Sequence, residues 1–211
     1  MEPKRTSVEG RAEKKKKQMC RRIIDVAVEL FERQGFNETT MEQIAEEADI
    51  ARKTLYNHFS SKEAIADAYV RGVSNRLARE NLTGLQDLPN TKMRLLAVLN
   101  KAYQWVEYNP EITKVVLGYR LKSLYQKSGE YSDNQTGTQN IVADIIRQGQ
   151  RYGEIRQDIP VRLLVVQIDV FRSSVVFDWV NDTTRFELRE EIAKMVDLFL
   201  YGAAAREKSR D

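Results

Sequence analysis

A short apolar pair near residue 55 is surrounded by polar and aromatic side chains that can recognise a nucleic acid. The pair is Leu55 and Phe59, which lie four residues apart and can therefore be buried together on one side of a helix. The side chains left outside this pair are Arg52, Lys53, Thr54, Tyr56 and Asn57. Guanidinium, ammonium, hydroxyl and amide groups on an exposed helix are suited to hydrogen bonds with base edges or phosphates.

The preceding residues predict the elements that would position this group. Thr40 and Gln43 form a capping box at the start of a short helix. The apolar face of that helix consists of Ile44, Ala45 and Ala48. Asp49 and Ile50 interrupt the pattern, and a second short helix follows from about Ala51. This is the arrangement of a helix-turn-helix that reads the major groove, although an ordinary helical hairpin with a solvated basic end fits these residues equally well.

The flanking residues predict two further helices. An amphipathic helix precedes the motif and ends at Gly35, a residue typical of helix C-termini. Its apolar face consists of Ile23, Ala27, Leu30 and Phe31. Ser60 and Glu63 have the spacing of a second capping box, which predicts a fourth helix after the motif.

Residues 23–69 resemble the DNA-binding domain of the TetR (tetracycline-repressor) family of transcriptional regulators. The matching signatures are Ala27-x-x-Leu30-Phe31-x-x-x-Gly35-Phe36, Thr39-Thr40, Ile44-Ala45-x-x-Ala48 and Thr54-Leu55-Tyr56-x-His58-Phe59-x-x-Lys62-Glu63. The remaining residues agree with the family only in length and helical pattern. The resemblance implies an all-α fold, in which an N-terminal three-helix helix-turn-helix domain binds DNA and a C-terminal helical domain binds an effector and dimerises.

The same resemblance implies roles for individual side chains. The positions that read bases are Arg52, Lys53, Thr54 and Asn57. The positions that contact phosphates are Thr40, Tyr56, His58 and Lys62. Lys62 has independent support, because a lysine in the first turn of a helix opposes the helix dipole and a phosphate would offset that repulsion. The alternatives are packing of His58 beside Phe59 and partial burial of Tyr56 in the core.

Composition favours a helical protein with one large or two small domains. The chain has 211 residues, 42% of them apolar, with 10 Gly and 4 Pro. The single cysteine, Cys20, cannot form an internal disulfide, so we expect a cytoplasmic protein and a half-buried structural thiol rather than a redox sensor. There is no secretory signal and no apolar run of the ~20 residues that span a bilayer, so no membrane partner is expected.

The positive charge is concentrated at the N-terminus. The formal net charge is +3, but residues 1–17 hold seven Lys or Arg and three Glu. Such a run predicts a disordered basic arm, which either tracks DNA phosphates or the minor groove or is merely a solvated tail. The predicted organisation is this arm, a DNA-binding domain at 18–78, a ligand-binding and dimerisation domain at 79–206 and a tail at 207–211.

The last two predicted helices are strongly apolar. Twelve large apolar residues occur between positions 163 and 180, which requires burial on more than one side. The final helix carries the stripe Ile192, Met195, Val196, Phe199, Leu200 and Ala203. Pairing these two helices with their copies in a four-helix bundle would bury both, so we predict a homodimer through the last two helices. Residues 128–137 are polar and predict a loop.

The effector site is less defined by the sequence. Candidate aromatic walls are Tyr69, Tyr103, Trp105, Tyr108, Tyr119 and Tyr125, although most such residues belong to the core or the surface. Arg120 and Arg172 are candidates to hold an anionic group, and the alternative for Arg172 is an ion pair with Asp169 on the same helix. We expect no cofactor, no metal site and no enzymatic activity, because the chain has one histidine, no Walker loop and no metal-ligand spacing.

These observations predict a sequence-specific transcriptional regulator that binds a double-stranded DNA operator. The family resemblance favours a repressor that an unidentified small-molecule effector releases from a palindromic operator. The alternatives are an architectural, nonspecific DNA-binding protein without an effector and a transcriptional activator of the same fold.

Overall fold

The computed structural model describes residues 6–80, 84–126 and 136–202, without the side chains of residues 6–9 and 123–126. All regular secondary structure in these residues is helical, which confirms the predicted all-α fold. The helices are α1 Thr6–Gln34, α2 Met41–Glu47, α3 Arg52–His58, α4 Lys62–Glu80, a 3-10 helix Leu85–Asp87, α5 Thr91–Tyr108, α6 Pro110–Gln126, α7 Gly137–Arg151, α8 Val161–Asn181 and α9 Leu188–Tyr201. None of these helices is long and apolar enough to cross a lipid bilayer.

The chain divides into two compact units, Met1–Val70 and Arg71–Asp211. The first unit contains α1, α2, α3 and the beginning of α4, and the second contains the rest of α4 and the helices that follow. The domain limits that we predicted at residues 78 and 206 stay predictions.

The first unit is built on the apolar face of α1. α2 packs on α1, and α3 packs on α2. Ile23, Ala27 and Leu30 are buried on one side of α1, as their helical spacing predicts. The other helices of this unit bury Ile44, Ala45, Ala48, Leu55, Ile65 and Ala66. Gly35 follows α1 with φ +90°, a left-handed conformation that glycine adopts without a steric penalty, and this ends the helix as predicted.

The prediction of a disordered arm is wrong for residues 6–17, which form the first turns of α1; residues 1–5 lie outside the described residues. The charge run suggested disorder, but its Ala, Glu, Lys and Arg residues are good helix formers. Glu13 and Lys17 also form an ion pair of 2.7 Å across one helical turn. Residues 10–18 are all exposed, so this basic extension is a helix that packs no face against the first unit.

The start of α4 differs from the prediction by one residue. Ser61, not Ser60, caps the helix, since its Oγ accepts a hydrogen bond from the Ala64 amide at 3.3 Å. The predicted box of Ser60 with Glu63 is therefore wrong. Phe59 follows α3 and has an extended backbone with φ −139°. The chain becomes helical again at Lys62, so Ser61 is the residue that directly precedes α4.

The second unit has its core between α5, α7, α8 and α9. α5 packs on α7 and α9, and α8 packs on α6, α7 and α9. The large side chains buried completely or almost so in this core are Leu95, Leu99, Tyr103, Ile146, Val176, Leu188 and Ile192. α8 nevertheless keeps several large apolar side chains exposed within one chain, namely Leu163, Val170, Phe171 and Phe177.

A glycine sets the close packing of α7 on α4. A Cβ added at Gly137 would lie 2.6 Å from the Ser74 carbonyl oxygen, so a larger residue would force the helices apart. We predicted Gly137 as the end of a polar loop, but it is the first residue of α7, which Thr136 caps through a capping box with Gln139. Residues 128–135 of that predicted loop lie outside the described residues.

Candidate nucleic-acid interface

The start of α2 is held by a reciprocal pair of hydrogen bonds. The Gln43 amide donates to Thr40 Oγ1 at 3.2 Å, and the Thr40 amide donates to Gln43 Oε1 at 2.9 Å, which confirms the predicted capping box. Gln34 adds a third contact, since its Nε2 donates to Gln43 Oε1 at 3.1 Å. The end of α1 is thereby tied to the first turn of α2.

The turn between α2 and α3 depends on Asp49, which has φ +50°. Aspartate occurs in this left-handed region more often than most residues, because its short polar side chain can bond locally. The Ile50 amide donates to the Ala45 carbonyl at 3.0 Å and closes the turn. The sequence showed an interruption at these residues without a glycine, and the conformational tolerance of aspartate explains how the chain turns there.

α3 presents the predicted polar face to solvent. Leu55 is fully buried, whereas Arg52, Lys53 and Asn57 are exposed. Thr54 is half-buried at the edge of this face. The helix therefore has one anchored side and one free side, as a recognition helix requires. That these side chains contact bases stays a prediction.

An acidic residue of α2 holds the first side chain of this face. Arg52 Nη1 lies 3.6 Å from Glu42 Oε1, and both side chains are largely exposed. An exposed pair of this kind contributes little stability, but it places the guanidinium near the first turn of α2. Sequence reasoning missed this pair, because the two residues belong to different helices and lie ten positions apart.

The C-terminal end of α3 contacts α1 through the only histidine. Cys20 Sγ lies 3.3 Å from His58 Nδ1, across 38 residues of sequence. Cys20 is half-buried, as predicted. The predicted alternative for His58 was packing beside Phe59, and the observed contact with α1 is a different intramolecular role. With Nδ1 directed to Cys20, Nε2 is the ring atom that could reach a phosphate.

Lys62 contacts the loop between α1 and α2, a role that the sequence did not predict, and its phosphate contact stays a prediction. Its ammonium donates to three main-chain carbonyls beyond α1, those of Phe36 at 2.7 Å, Asn37 at 3.0 Å and Thr39 at 2.9 Å. It also lies 4.5 Å from the centre of the Phe36 ring, where a cation is attracted to the ring face. An ammonium has three N–H donors, so a phosphate would have to replace at least one of these carbonyls. Lys62 fastens the loop between α1 and α2 to the start of α4.

Replacing Lys62 with methionine should therefore destabilise the first unit. Loss of these hydrogen bonds from a charged group should lower the local free energy of unfolding by about 1.5–3 kcal/mol. Hydrogen exchange of the amides in α1 to α3 measures this quantity. The control Lys53→Met, at an exposed position on α3, should change it by less than about 0.5 kcal/mol. Unchanged exchange in Lys62→Met, with a shallower salt dependence of DNA binding, would show that Lys62 is a phosphate contact after all.

The remaining predicted phosphate contacts lie near the same face. Tyr56 is half exposed rather than a core aromatic, so its hydroxyl is accessible. Thr40 is exposed, and its Oγ1 accepts the helix-capping bond while its O–H remains a donor. The acidic Glu42 and Asp49 are exposed beside this face. A DNA contact here therefore depends on particular side chains and not on a uniformly basic surface.

The predicted effector-site residues of the second unit occupy different environments. Tyr103 is fully buried, Trp105, Tyr119 and Arg120 are half-buried, Tyr108 is exposed, and the side chain of Tyr125 lies outside the described residues. Tyr69, on α4 in the first unit, is half-buried. Arg172 forms the predicted ion pair with Asp169 at 2.7 Å. Which of these residues contact an effector stays a prediction.

Comparison with known proteins identifies the first unit. Residues 23–69 match the sequence family described as bacterial regulatory proteins of the tetR family. The chain is 26% identical over 192 residues to the fatty acid metabolism regulator protein of Bacillus subtilis (strain 168). The aligned region covers 90% of this chain and 97% of that protein. It is also 26% identical over 149 residues to the transcriptional repressor KstR2 of Rhodococcus jostii (strain RHA1), covering 67% of this chain and 70% of the repressor.

Solved structures share the fold of most of the chain. The Thermus thermophilus FadR, a TetR-family repressor in complex with lauroyl-CoA, has a TM-score of 0.75 and 22% identity, covering 91% of this chain and 98% of FadR. The Bacillus subtilis FadR in complex with stearoyl-CoA has a TM-score of 0.53 and 21% identity, covering 87% of this chain and 98% of that FadR. Residues 23–69 therefore carry a DNA-binding domain of the tetR family, and the chain shares the fold of these solved structures.

Proposed function

We propose that this protein is a repressor that binds a palindromic operator as a homodimer and is released by a long-chain acyl-CoA. The observation that carries the DNA-binding part is α3, which is anchored by the buried Leu55 and exposes donor side chains on its other face. The proposed site of action is the cytoplasm, and the proposed role is regulatory rather than enzymatic.

In the proposed complex, α3 enters the major groove and its exposed side chains read bases. Arg52 and Lys53 can donate to the N7 and O6 acceptors of guanine, Thr54 can meet a thymine methyl group, and Asn57 can bond to adenine. The phosphate contacts are Thr40, Tyr56 and the Nε2 atom of His58. Lys62 supports them indirectly, because it holds the loop that carries Thr40.

The proposed dimer is supported by the apolar surface of α8. Leu163, Val170 and Phe177 are 48%, 52% and 46% exposed within one chain and recur every seven residues. Such a stripe lies on one side of a helix and is typical of helices that pack against a partner helix. Leu198 and Tyr201 add exposed apolar area on α9. A two-fold arrangement pairs the same surface on both subunits and matches two half-sites spaced by whole helical turns.

The proposed effector class is supported by the relatives. The fatty acid metabolism regulator of Bacillus subtilis aligns with nearly all of the chain, and two structures of the same fold are complexes with lauroyl-CoA and stearoyl-CoA. An effector acts only through its preference for one of two conformations. A preference of about a hundredfold for the conformation that does not bind DNA corresponds to about 2.7 kcal/mol, which is enough to empty an operator.

Binding to the DNA directly upstream of the protein's own gene tests this proposal. The purified protein should bind this duplex more tightly than scrambled DNA of equal composition at low and at moderate salt, and lauroyl-CoA should release it while free CoA should not. Equal, salt-sensitive binding to both duplexes would favour the architectural alternative, in which the basic extension of α1 dominates. A reporter gene behind the bound site then distinguishes repression from activation.

A further inference from the structure

Two polar oxygen atoms on α5 of the second unit are buried. Tyr103 is 0% exposed, and its hydroxyl donates to no acceptor among the described residues, although Arg172 lies near enough to interact with it. Asn100 lies three residues earlier and therefore on the same side of α5. Its Oδ1 is also buried and likewise lacks a partner in the described part of the chain. Buried polar atoms in folded proteins almost always have a partner, so this pair requires an explanation.

An ion pair on α8 lies close to the Tyr103 hydroxyl. Arg172 donates to Asp169 Oδ1 through Nε at 3.1 Å and through Nη2 at 2.7 Å. Gln139 on α7 donates to the other carboxylate oxygen, Asp169 Oδ2, at 2.9 Å. Burial raises the pKa of Tyr103 far above its ordinary value, although the neighbouring Arg172 opposes the shift. The tyrosine therefore remains a neutral hydroxyl that can donate a hydrogen bond.

The charges around this hydroxyl decide which ligand group fits. Among the described residues, the charged groups that act on Tyr103 are Arg172 and Asp169, and their charges cancel. A carboxylate would bring a net negative charge into an apolar core where the guanidinium already has its counter-ion, which is costly. A neutral carbonyl would accept from the Tyr103 hydroxyl without this cost. Asn100 Oδ1 can accept from a neutral N–H a few bonds away.

An acyl-CoA carries both of these groups next to each other. Its thioester carbonyl is a neutral acceptor, and the amide N–H that follows the sulfur in the CoA arm is a neutral donor. We propose that Tyr103 and Asn100 bind the thioester end of a fatty acyl-CoA and discriminate against the free fatty acid. Arg172 lies beside them and is paired with Asp169, which also accepts a hydrogen bond from Gln139. This inference rests on the proposed effector class and assigns the residues that recognise it.

The burial of Tyr103 gives the site a means to act on conformation. Because the hydroxyl is completely covered, a ligand that bonds to it must separate α5 from the helices packed on it. α7 and α9 are two of these helices. A ligand that binds only the separated arrangement stabilises that arrangement, as an effector must.

The substitution Tyr103→Phe tests the site with a change of one oxygen atom. The matched control is Tyr152→Phe, which makes the same change at the end of α7, at a position that is 65% exposed. Full-length protein is titrated calorimetrically with lauroyl-CoA and, separately, with laurate. We expect the wild type to bind lauroyl-CoA at least ~10-fold more tightly than laurate, and Tyr103→Phe to bind lauroyl-CoA about tenfold more weakly, the effect of one hydrogen bond. Operator affinity without ligand and melting temperature should not fall.

The titrations distinguish failure of the proposed site from failure of the proposed effector class. If the wild type binds lauroyl-CoA and Tyr103→Phe binds it equally well, the site is wrong while the effector class stands. If laurate binds as tightly as lauroyl-CoA, the discrimination is wrong. If the wild type binds neither, the effector class fails and this site fails with it. Asn100→Leu, which removes the second polar group, should also weaken lauroyl-CoA binding, and it replaces Tyr103→Phe if that variant does not fold.

Discussion

Replacing Phe177 with glutamate is expected to convert the protein into a monomer and to lower its operator affinity by a hundredfold or more. Phe177 lies on the exposed stripe of α8 with Leu163 and Val170. In a two-fold interface each substitution occurs twice, so two carboxylates would be buried close to each other without counter-ions. A monomer also loses the gain of about 10²–10⁴ that comes from binding two half-sites at once.

Sedimentation equilibrium measures the subunit state, and titration of operator DNA measures the affinity. The control is Tyr108→Glu, which places the same charge at an exposed aromatic position on α5, outside the stripe. This control should remain dimeric and bind the operator normally. A Phe177→Glu protein that stays dimeric at micromolar concentration would show that α8 does not form the subunit interface.

Replacing Arg52 with alanine is expected to relax the choice of DNA sequence. A bidentate contact between arginine and guanine contributes about 1–3 kcal/mol of discrimination, so preference for the operator over scrambled DNA should fall roughly 5- to 150-fold. The structural reason is that Arg52 is the exposed first residue of α3 and is paired with Glu42. Binding to scrambled DNA should change much less.

Arg33→Ala is the matched control for this prediction. Arg33 is also an exposed arginine of the first unit and is also paired with a glutamate of α2, Glu47, but it lies at the end of α1. Its removal changes the net charge equally and should leave the operator preference intact. If Arg52→Ala weakens operator and scrambled DNA by the same factor, Arg52 contacts a phosphate and reads no base.

The predictions that the structure confirms are those determined over short distances in sequence. Thr40 with Gln43, the end of α1 at Gly35, and the Arg172–Asp169 pair each involve residues at most four positions apart or a single backbone conformation. Burial of Leu55 beneath an exposed polar face follows from helical spacing in the same way. Local geometry is nearly the same in every helix, so one sequence suffices to predict these features.

Two predictions failed because two local preferences competed at the same residues, and spacing in sequence does not show which of them prevails. Charge repulsion favoured a disordered arm, while helix propensity favoured continuation of α1, and residues 6–17 are helical. Ser60 and Ser61 both had the chemistry of a cap, and the choice of Ser61 depended on how many extended residues follow α3.

The sequence by itself determined the helical class and the polar face of α3, because both depend on periodicity and capping within a few residues, while the choice of a helix-turn-helix over an ordinary helical hairpin also needed the family resemblance. The tertiary structure alone decided the partners of the side chains around that face. Lys62 bonds carbonyls 23 to 26 residues away, and His58 contacts Cys20 across 38 residues. It also brought Tyr103 of α5 near Arg172 of α8. Such contacts arise only when helices pack, since packing brings together groups whose separation in sequence carries no signal.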